Sequence, residues 1–218
     1  LVNLVGELVT LQARLNQESS QAGLPEFISI SESLGRLTGE LRDNTMSIRM
    51  VPVGEMFNTF HRLVHDLSGG LNKKIKLVTS GGQTELDKNV IEELKDPLMH
   101  LIRNSADHGI EDVDSRILCG KEPEGVISIE AEHSGANVVI RVSDDGGGLN
   151  RDRIKEKAIA KNLLSPGDYD DRQIFNMIFE PGFSTAAVTT DISGRGVGMD
   201  VVRRNIEKLR GTIDISST

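Results

Sequence analysis

Cysteine is nearly missing: Cys119 stands alone, so no disulfide framework staples this chain. No apolar run approaches the roughly 20 residues that a membrane-spanning helix requires, which argues against direct insertion into a bilayer. A basic surplus is missing too. Against 33 Asp and Glu there are 25 Lys and Arg, a net charge of -8, and the pI is near 5.2. Sequence-independent grip on phosphate backbones comes from clustered Lys and Arg, so the balance argues against DNA and RNA as partners. There is no internal repeat, no low-complexity tract and no signal peptide, and together these absences predict a cytoplasmic protein. The first residues, "LVNLVGELV", stand in mid-pattern without a Met, as in a piece of a longer protein. The 218 residues suffice for a small domain joined to a medium one, with a real apolar core.

What is present first is a seam. Leu1, Leu4, Leu8, Leu11 and Leu15 alternate three and four apart, the narrow stripe of a helix that packs along partner helices. Gly23 and Pro25 in "QAGLPEF" break the pattern, and a second stripe follows at Ile30, Leu34, Leu37, Leu41 and Ile48. The spacing predicts an antiparallel helical hairpin over residues 1–50. Asn44 falls where the second seam wants an apolar residue, a choice that costs stability and fixes register. Two helices cannot bury both stripes alone. A second copy completing a four-helix bundle would cover them, as would docking on the rest of the chain.

After "SIRMVPVGEMF" the character becomes mixed α/β, and residues 51–218 form the second expected domain. A helix is expected over 54–67, a short strand at "KKIKLVTS", a long helix, then strands at 125–133 and 137–143 joined by "SGA". Alternating apolar and polar residues make that pair an antiparallel hairpin with one face covered by helices. A last strand is expected at "GTIDIS". The fold class is α+β, with a two-layer α/β sandwich rather than a doubly wound sheet.

The long helix has its apolar side at Val90, Ile91, Leu94, Leu98, Leu101 and Ile102. His100, Asn104 and Asp107 or His108 share another stripe, which lines a site or simply meets water. Pro97 predicts a kink one turn before His100. In "VSDDGGGL", Asp144 ends a strand, and Gly146 and Gly148 let the backbone pass close to a flat ligand. The carboxylate would accept from an exocyclic amine such as that of adenine. Asp-Asp-Gly is equally the chemistry of a turn or a calcium loop. Arg153 and Lys157, one turn apart, face phosphates or solvent. Phe179 and Phe183 bracket a Pro-Gly turn, and the polar run "STAAVTTD" follows, as in a mobile lid anchored by aromatic residues. Gly194, Gly196 and Gly198 in "DISGRGVGMDVV" then open a helix, a natural anion site, without P-loop or dinucleotide-fold spacing.

The ordered set resembles the GHKL (Bergerat) ATP-binding superfamily, and within it the chemotaxis sensor histidine kinases. The resemblance rests on "HLIRNSADHGIE" (100–111), "DDGGG" (144–148), "FEPGFST" (179–185) and "SGRGVGMDVV" (193–202), the last two being the most specific. The hairpin with "NLVGELV" and the junction "SIRMVPVGEMF" add to it, so it covers essentially the whole chain. It implies ATP and Mg2+ as cofactors, and transfer of the γ-phosphoryl group to a protein histidine. By the same resemblance Asp144 bonds the adenine amino group, Gly146 and Gly148 permit close backbone approach, and Asn104 holds Mg2+ with His100 near the ion or the transferred group. His108, Arg153 and Lys157 would contact phosphates, with Asp107 in the same ATP site. Gly194, Gly196 and Gly198 would wrap the triphosphate, joined by Ser184, Thr185, Ser193, Arg195, Val197 and Met199, with Phe179 to Ser193 as the lid. The partners implied are a second copy through residues 1–50, a phosphotransfer domain carrying the accepting His, response regulators, and a coupling protein and chemoreceptors reached through flanking domains.

Departures from the family pattern matter as well. Residues 1–60 contain no His, so the acceptor lies elsewhere. His61 and His65 are candidates by spacing and could pair on a metal, but no third ligand accompanies them. Gly147 makes three consecutive glycines where the family often has a larger middle residue, which would loosen the adenine loop. The resemblance leads one to expect a Gly-Thr turn and a closing strand after "IDISST", where the given residues stop. Two other readings stay open: a GHL-type ATPase, which carries a Glu general base where His100 stands, and a nucleotide-gated dimerisation scaffold without transfer activity.

Overall fold

The structure, a computed structural model, describes residues 2–47, 49–183 and 198–217. Its elements run α1 (Val2–Ala22), α2 (Pro25–Ser47), β1 (Met50–Pro52), α3 (Gly54–Leu71), β2 (Ile75–Ser80), β3 (Glu85–Asp87), α4 (Lys88–Asn104) and α5 (Val113–Leu118). Then come β4 (Gly125–Ser134), β5 (Asn137–Asp144), α6 (Arg151–Ala160), α7 (Asp171–Asn176) and α8 (Met199–Lys208). The chain divides into two compact units, Leu1–Val51 with Glu85–Lys88, and Pro52–Thr84 with Asn89–Thr218.

In the first unit α1 and α2 pack on each other as the expected hairpin, but most of the leucines stay exposed. Val5, Gln12 and Ser19, seven apart on α1, are buried, as are Ser31 and Thr38 on α2. Gln12 Nε2 donates to the Ser31 carbonyl (2.7 Å) and to Asn16 Oδ1 (3.1 Å), and the Ser31 hydroxyl donates to the same Asn16 oxygen. Small and hydrogen-bonded side chains thus form the contact within the hairpin, while Leu4 (67% exposed), Leu11 (62%), Ile30 (63%) and Leu37 (53%) lie open. Asn44 and Ile48 lie outside the residues whose side chains are described. The strand β3, which no periodicity signals, pairs with β1, and Lys88 N–H donates to the Arg49 carbonyl (3.2 Å). Arg49 Nε and Asp87 Oδ2 are 3.1 Å apart in the same ribbon.

The second unit is built on a mixed sheet in the order β2, β4, β5. β2 runs parallel to β4 from Ile75 opposite Gly125 to Ser80 opposite Glu130, and β4 runs antiparallel to β5 from Ile127 opposite Asp144 to Ser134 opposite Asn137. Alternation along β4 buries Ile127, Ile129 and Ala131 on one face. α3 packs beside β2 and buries Met56, Phe57, Phe60 and Val64, while α4 buries Leu94, Pro97, Leu98 and Ile102. A separate apolar cluster joins Ile154 and Ala158 of α6 to Ile174, Phe175 and Phe183.

The strand expected at "GTIDIS" does not form: residues 211–217 carry no strand among the described residues. An alternating pattern specifies which side chains turn inward, not whether a neighbouring backbone is present to pair. This segment is held by side chains instead. Ser217 Oγ accepts from Leu149 N–H (2.9 Å), Arg172 pairs with Asp214, and Ile215 packs against the α6 cluster.

Candidate functional site

α4 continues through Pro97 to Asn104, and a single π-helical turn, Ser105–Gly109, follows. The α-helical stripe therefore stops at Asn104. π turns recur at functional sites because the extra residue re-aims its neighbours. Ala106 and Ile110 are buried here, while Asp107 (48% exposed) and His108 (69%) project outward, with His108 Nε2 3.7 Å from Asp107 Oδ2. Lys73 holds the turn from below, its Nζ donating to the carbonyls of Ala106 (3.0 Å), Asp107 (2.7 Å) and Ile110 (2.7 Å). His100 is half-buried one turn before Asn104. Burial, and then the nearby Arg103 charge, lower its pKa from the ordinary 6.5, which leaves a neutral imidazole at pH 7.

Asn104 Nδ2 donates to Met199 Sδ at 3.1 Å, bringing together residues 95 apart in sequence. Met199 opens α8, whose N-cap is Gly198 with no side-chain cap. The first N–H groups of α8 are thereby presented near Asn104. Ser184, Thr185, Ser193, Gly194, Arg195, Gly196 and Val197, and the expected lid beyond Phe183, lie outside the described residues.

The two aspartates at the end of β5 have separate tasks. Asp145 is consumed by the protein: its Oδ1 accepts from Val126 N–H (2.9 Å) and its Oδ2 from Arg116 Nη2 (2.8 Å). Arg116 is only 1% exposed and also meets Glu111 Oε2 (3.1 Å) and the Glu122 carbonyl (2.8 Å). Burial pushes the Asp145 pKa up, but the Val126 N–H and the Arg116 and Lys121 charges outweigh it and hold the carboxyl below its ordinary value. Glu111 behaves alike, with Lys121 and Arg116 overcoming burial. Asp144, by contrast, is exposed and accepts one protein hydrogen bond among the described residues, from Gly146 N–H to Oδ1 (3.1 Å).

The backbone around Asp144 is tight. Gly147 N–H donates to the Gly109 carbonyl (3.0 Å), and a Cβ at Gly146 would stand 2.1 Å from that same oxygen. Gly148 takes φ 71°, the left-handed region. Gly147 has neither constraint: a Cβ there meets only Glu111, at 3.6 Å or more. The expected loosening by a third glycine thus concerns a position with room for a side chain.

A third group of residues is cationic. Lys157 and Lys161 place their ammonium groups 5.5 and 6.0 Å from the centre of the buried Phe183 ring. Partial burial, then Lys161 and Arg153, lower the Lys157 pKa. Such crowding of like charge is relieved by an anion. Lys161 also donates to the Gly182 carbonyl, next to Phe183. His61 Nε2 lies 3.4 Å from Thr79 Oγ1 and His65 Nδ1 3.5 Å from Asp66, both histidines exposed. Among the described residues no three His, Cys, Asp or Glu form a metal-binding group, and no helix there is long and apolar enough to cross a membrane.

Asn104, Asp144, Gly146 and Gly148, singled out from the sequence, lie in segments held by Lys73, Arg116 and Lys121 and bordered by Gly109, none of which the sequence marked, nor did it mark Lys161 beside Phe183. Residues 93–218 match the family described as histidine kinase-, DNA gyrase B- and HSP90-like ATPase. The chain belongs to that family. Residues 1–48 match a second family, the homodimeric domain of signal transducing histidine kinases. Over 220 aligned residues, covering the whole chain, it is 47% identical to the chemotaxis protein CheA of Klebsiella aerogenes and to that of Salmonella typhimurium, of which it covers 34% and 33%. Against the Helicobacter pylori sensor histidine kinase CheAY the identity is 46%, over 28% of that protein. The chain thus spans about a third of the length of the first two relatives. A solved blue-light activated histidine kinase of Erythrobacter litoralis superposes with a TM-score of 0.43 at 14% identity, over 97% of this chain and 55% of that one.

Proposed function

We propose that the chain is the dimerisation and ATP-binding core of a chemotaxis histidine kinase. Residues 51–218 would bind Mg-ATP and pass its γ-phosphoryl group to a histidine on a separate phosphotransfer domain. The observation that carries the reading is the division of labour at the end of β5: Asp145 is saturated by Arg116 and Val126, while Asp144 stands exposed beside Gly146, which has no room for a side chain. That arrangement suits an acceptor-only carboxylate receiving the adenine amino group. Asn104, His100 and the N-terminus of α8 would lie at the triphosphate, with Asp107, His108, Arg153 and Lys157 around it and residues 184–199 closing over it.

Asn104 fits a magnesium ligand. Its amide nitrogen is turned to the Met199 sulfur, which leaves the amide oxygen as the hard donor that Mg2+ prefers. Bound there, Mg2+ would neutralise phosphate charge, while Asn104 orients it and the neutral His100 stands beside it. A Glu general base is missing at His100, which disfavours steady hydrolysis of the GHL type.

Residues 1–50 would form the homodimer, a second copy covering Leu4, Leu11, Ile30 and Leu37 in a four-helix bundle. Receptor coupling and response regulators would be reached through other domains, in the cytoplasm. The test is direct. Purified protein incubated with Mg-ATP labelled at the γ-phosphate should label a histidine on a phosphotransfer domain supplied in trans. ATP binding without any labelling would leave only the scaffold reading.

A further inference from the structure

We propose that Lys121, acting with Arg116, is a positioning residue that sets base selectivity at this site by fixing the direction of the Asp144 carboxylate. The proposal rests on the nucleotide reading above and extends it to a residue that touches no ligand.

An ammonium group has three N–H bonds. Lys121 Nζ directs them to Glu111 Oε1 (2.7 Å), the Asp145 carbonyl (3.0 Å) and the Gly146 carbonyl (2.8 Å). Arg116 Nη1 reaches the same Asp145 carbonyl at 3.3 Å. The Asp145 carbonyl and the Gly146 N–H belong to one peptide unit, which is planar and turns as a rigid body. Pinning the carbonyl on one side therefore aims the N–H on the other. That N–H is the donor that holds Asp144 Oδ1, at 3.1 Å.

The chain of contacts runs from Lys121 through one peptide plane to the carboxylate. The other wall of the cleft is Gly109, where an added Cβ would lie 3.0 to 3.1 Å from the two Asp144 oxygens. With Oδ1 tied, Oδ2 is the oxygen that no protein donor meets among the described residues. Adenine presents an amino donor where guanine presents a carbonyl acceptor. A fixed carboxylate accepts from the first and repels the second. One free to swing discriminates less.

The test is a titration of wild type, Lys121→Met and Lys121→Arg with ATP, GTP and inorganic tripolyphosphate, alongside a melting curve for each. Lys121→Met removes the donors and keeps the stem. Its ATP-over-GTP preference should fall by about tenfold, the worth of a charged hydrogen bond, with tripolyphosphate binding unchanged. Lys121→Arg should retain the preference. If Lys121→Met does not fold, Lys121→Gln is measured for the same ratio. A wild-type ratio in the folded Met or Gln variant, or equal loss in Met and Arg, overturns the proposal. Wild-type protein that binds no ATP overturns the nucleotide reading itself, so the two failures are separable.

Discussion

Adjacent glycines at 146 and 147 should respond in opposite directions to the same substitution. In Gly146→Ala the new methyl would meet the Gly109 carbonyl oxygen at 2.1 Å, its carbon at 2.4 Å and Asp144 Oδ1 at 2.8 Å. The first two are backbone atoms with no rotamer to escape into, so the loop and the Ser105–Gly109 turn must part. Overpacking costs about 1 to 3 kcal/mol, and loss of the Gly147 to Gly109 hydrogen bond adds about 1 kcal/mol. A chain of this size shifts by about 2 to 4 °C per kcal/mol, so the second unit should melt on the order of 5 to 15 °C lower, and ATP binding should weaken with Asp144 displaced. In Gly147→Ala the methyl meets only Glu111 at 3.6 to 3.9 Å, and the backbone is outside the left-handed region. Reduced freedom of the unfolded chain should then stabilise by about 0.4 to 1 kcal/mol. Thermal unfolding by circular dichroism and titration with a non-hydrolysable ATP analogue measure both. Equal melting of Gly146→Ala and wild type, or a Gly147→Ala as unstable as Gly146→Ala, would refute the reasoning.

Other perturbations separate the remaining roles. Asn104→Ala should abolish Mg-ATP turnover because the ion loses its positioning oxygen; wild-type turnover in a phosphotransfer assay would remove that role. Asp144→Asn should weaken ATP more than tripolyphosphate, and equal losses measured by calorimetry would count against adenine recognition. Arg116→Met leaves the partly exposed Asp145 and Glu111 carboxylates without their buried partner and should destabilise by about 1 to 3 kcal/mol, read from denaturant midpoints. The pH profile of melting carries two signs. Glu111 and Asp145 have folded pKa values below their ordinary 4.5 and 3.8, so their stabilisation is present above those values and lost as pH falls through the folded ones. His100, depressed from 6.5, penalises the folded state as pH drops below 6.5, and His100→Gln should flatten that earlier slope.

Hairpin and sheet were legible because each has a period. The leucine stripes announced two helices, and the alternation in "GVISIEAEH" announced β4 with its buried Ile127, Ile129 and Ala131. Period says less about what a face touches. Apolar stripes suggest the contact, yet the buried residues of the hairpin are Val5, Gln12, Ser19, Ser31 and Thr38, and Gln12 hydrogen-bonds Ser31 across it. Leu4, Leu11 and Leu37 are left exposed. "GTIDIS" misled for a related reason: alternation is necessary for a half-buried strand and silent on pairing.

At the site, residues with a backbone task could be read and residues with a tertiary task could not. Glycines after a strand-end aspartate mark close approach from sequence alone, and Gly146 carries that constraint. Lys73 bonds carbonyls 33 to 37 residues away and Lys121 reaches 24 and 25 residues on, separations with no local signature. The two aspartates of "DDGGG" are chemically identical on paper. Only the fold differentiates them: β5 ends at Asp144, and Asp145 begins the loop that follows it. Asp145 is consumed by Arg116 and the Val126 N–H, with the Lys121 charge close by; Asp144 is exposed and accepts only from the Gly146 N–H among the described residues. Their partners differ, so a single carboxamide substitution should separate stability from recognition: Asp145→Asn should lower the melting temperature by loosening Arg116, and Asp144→Asn should lower affinity for ATP while leaving the melting temperature near that of wild type.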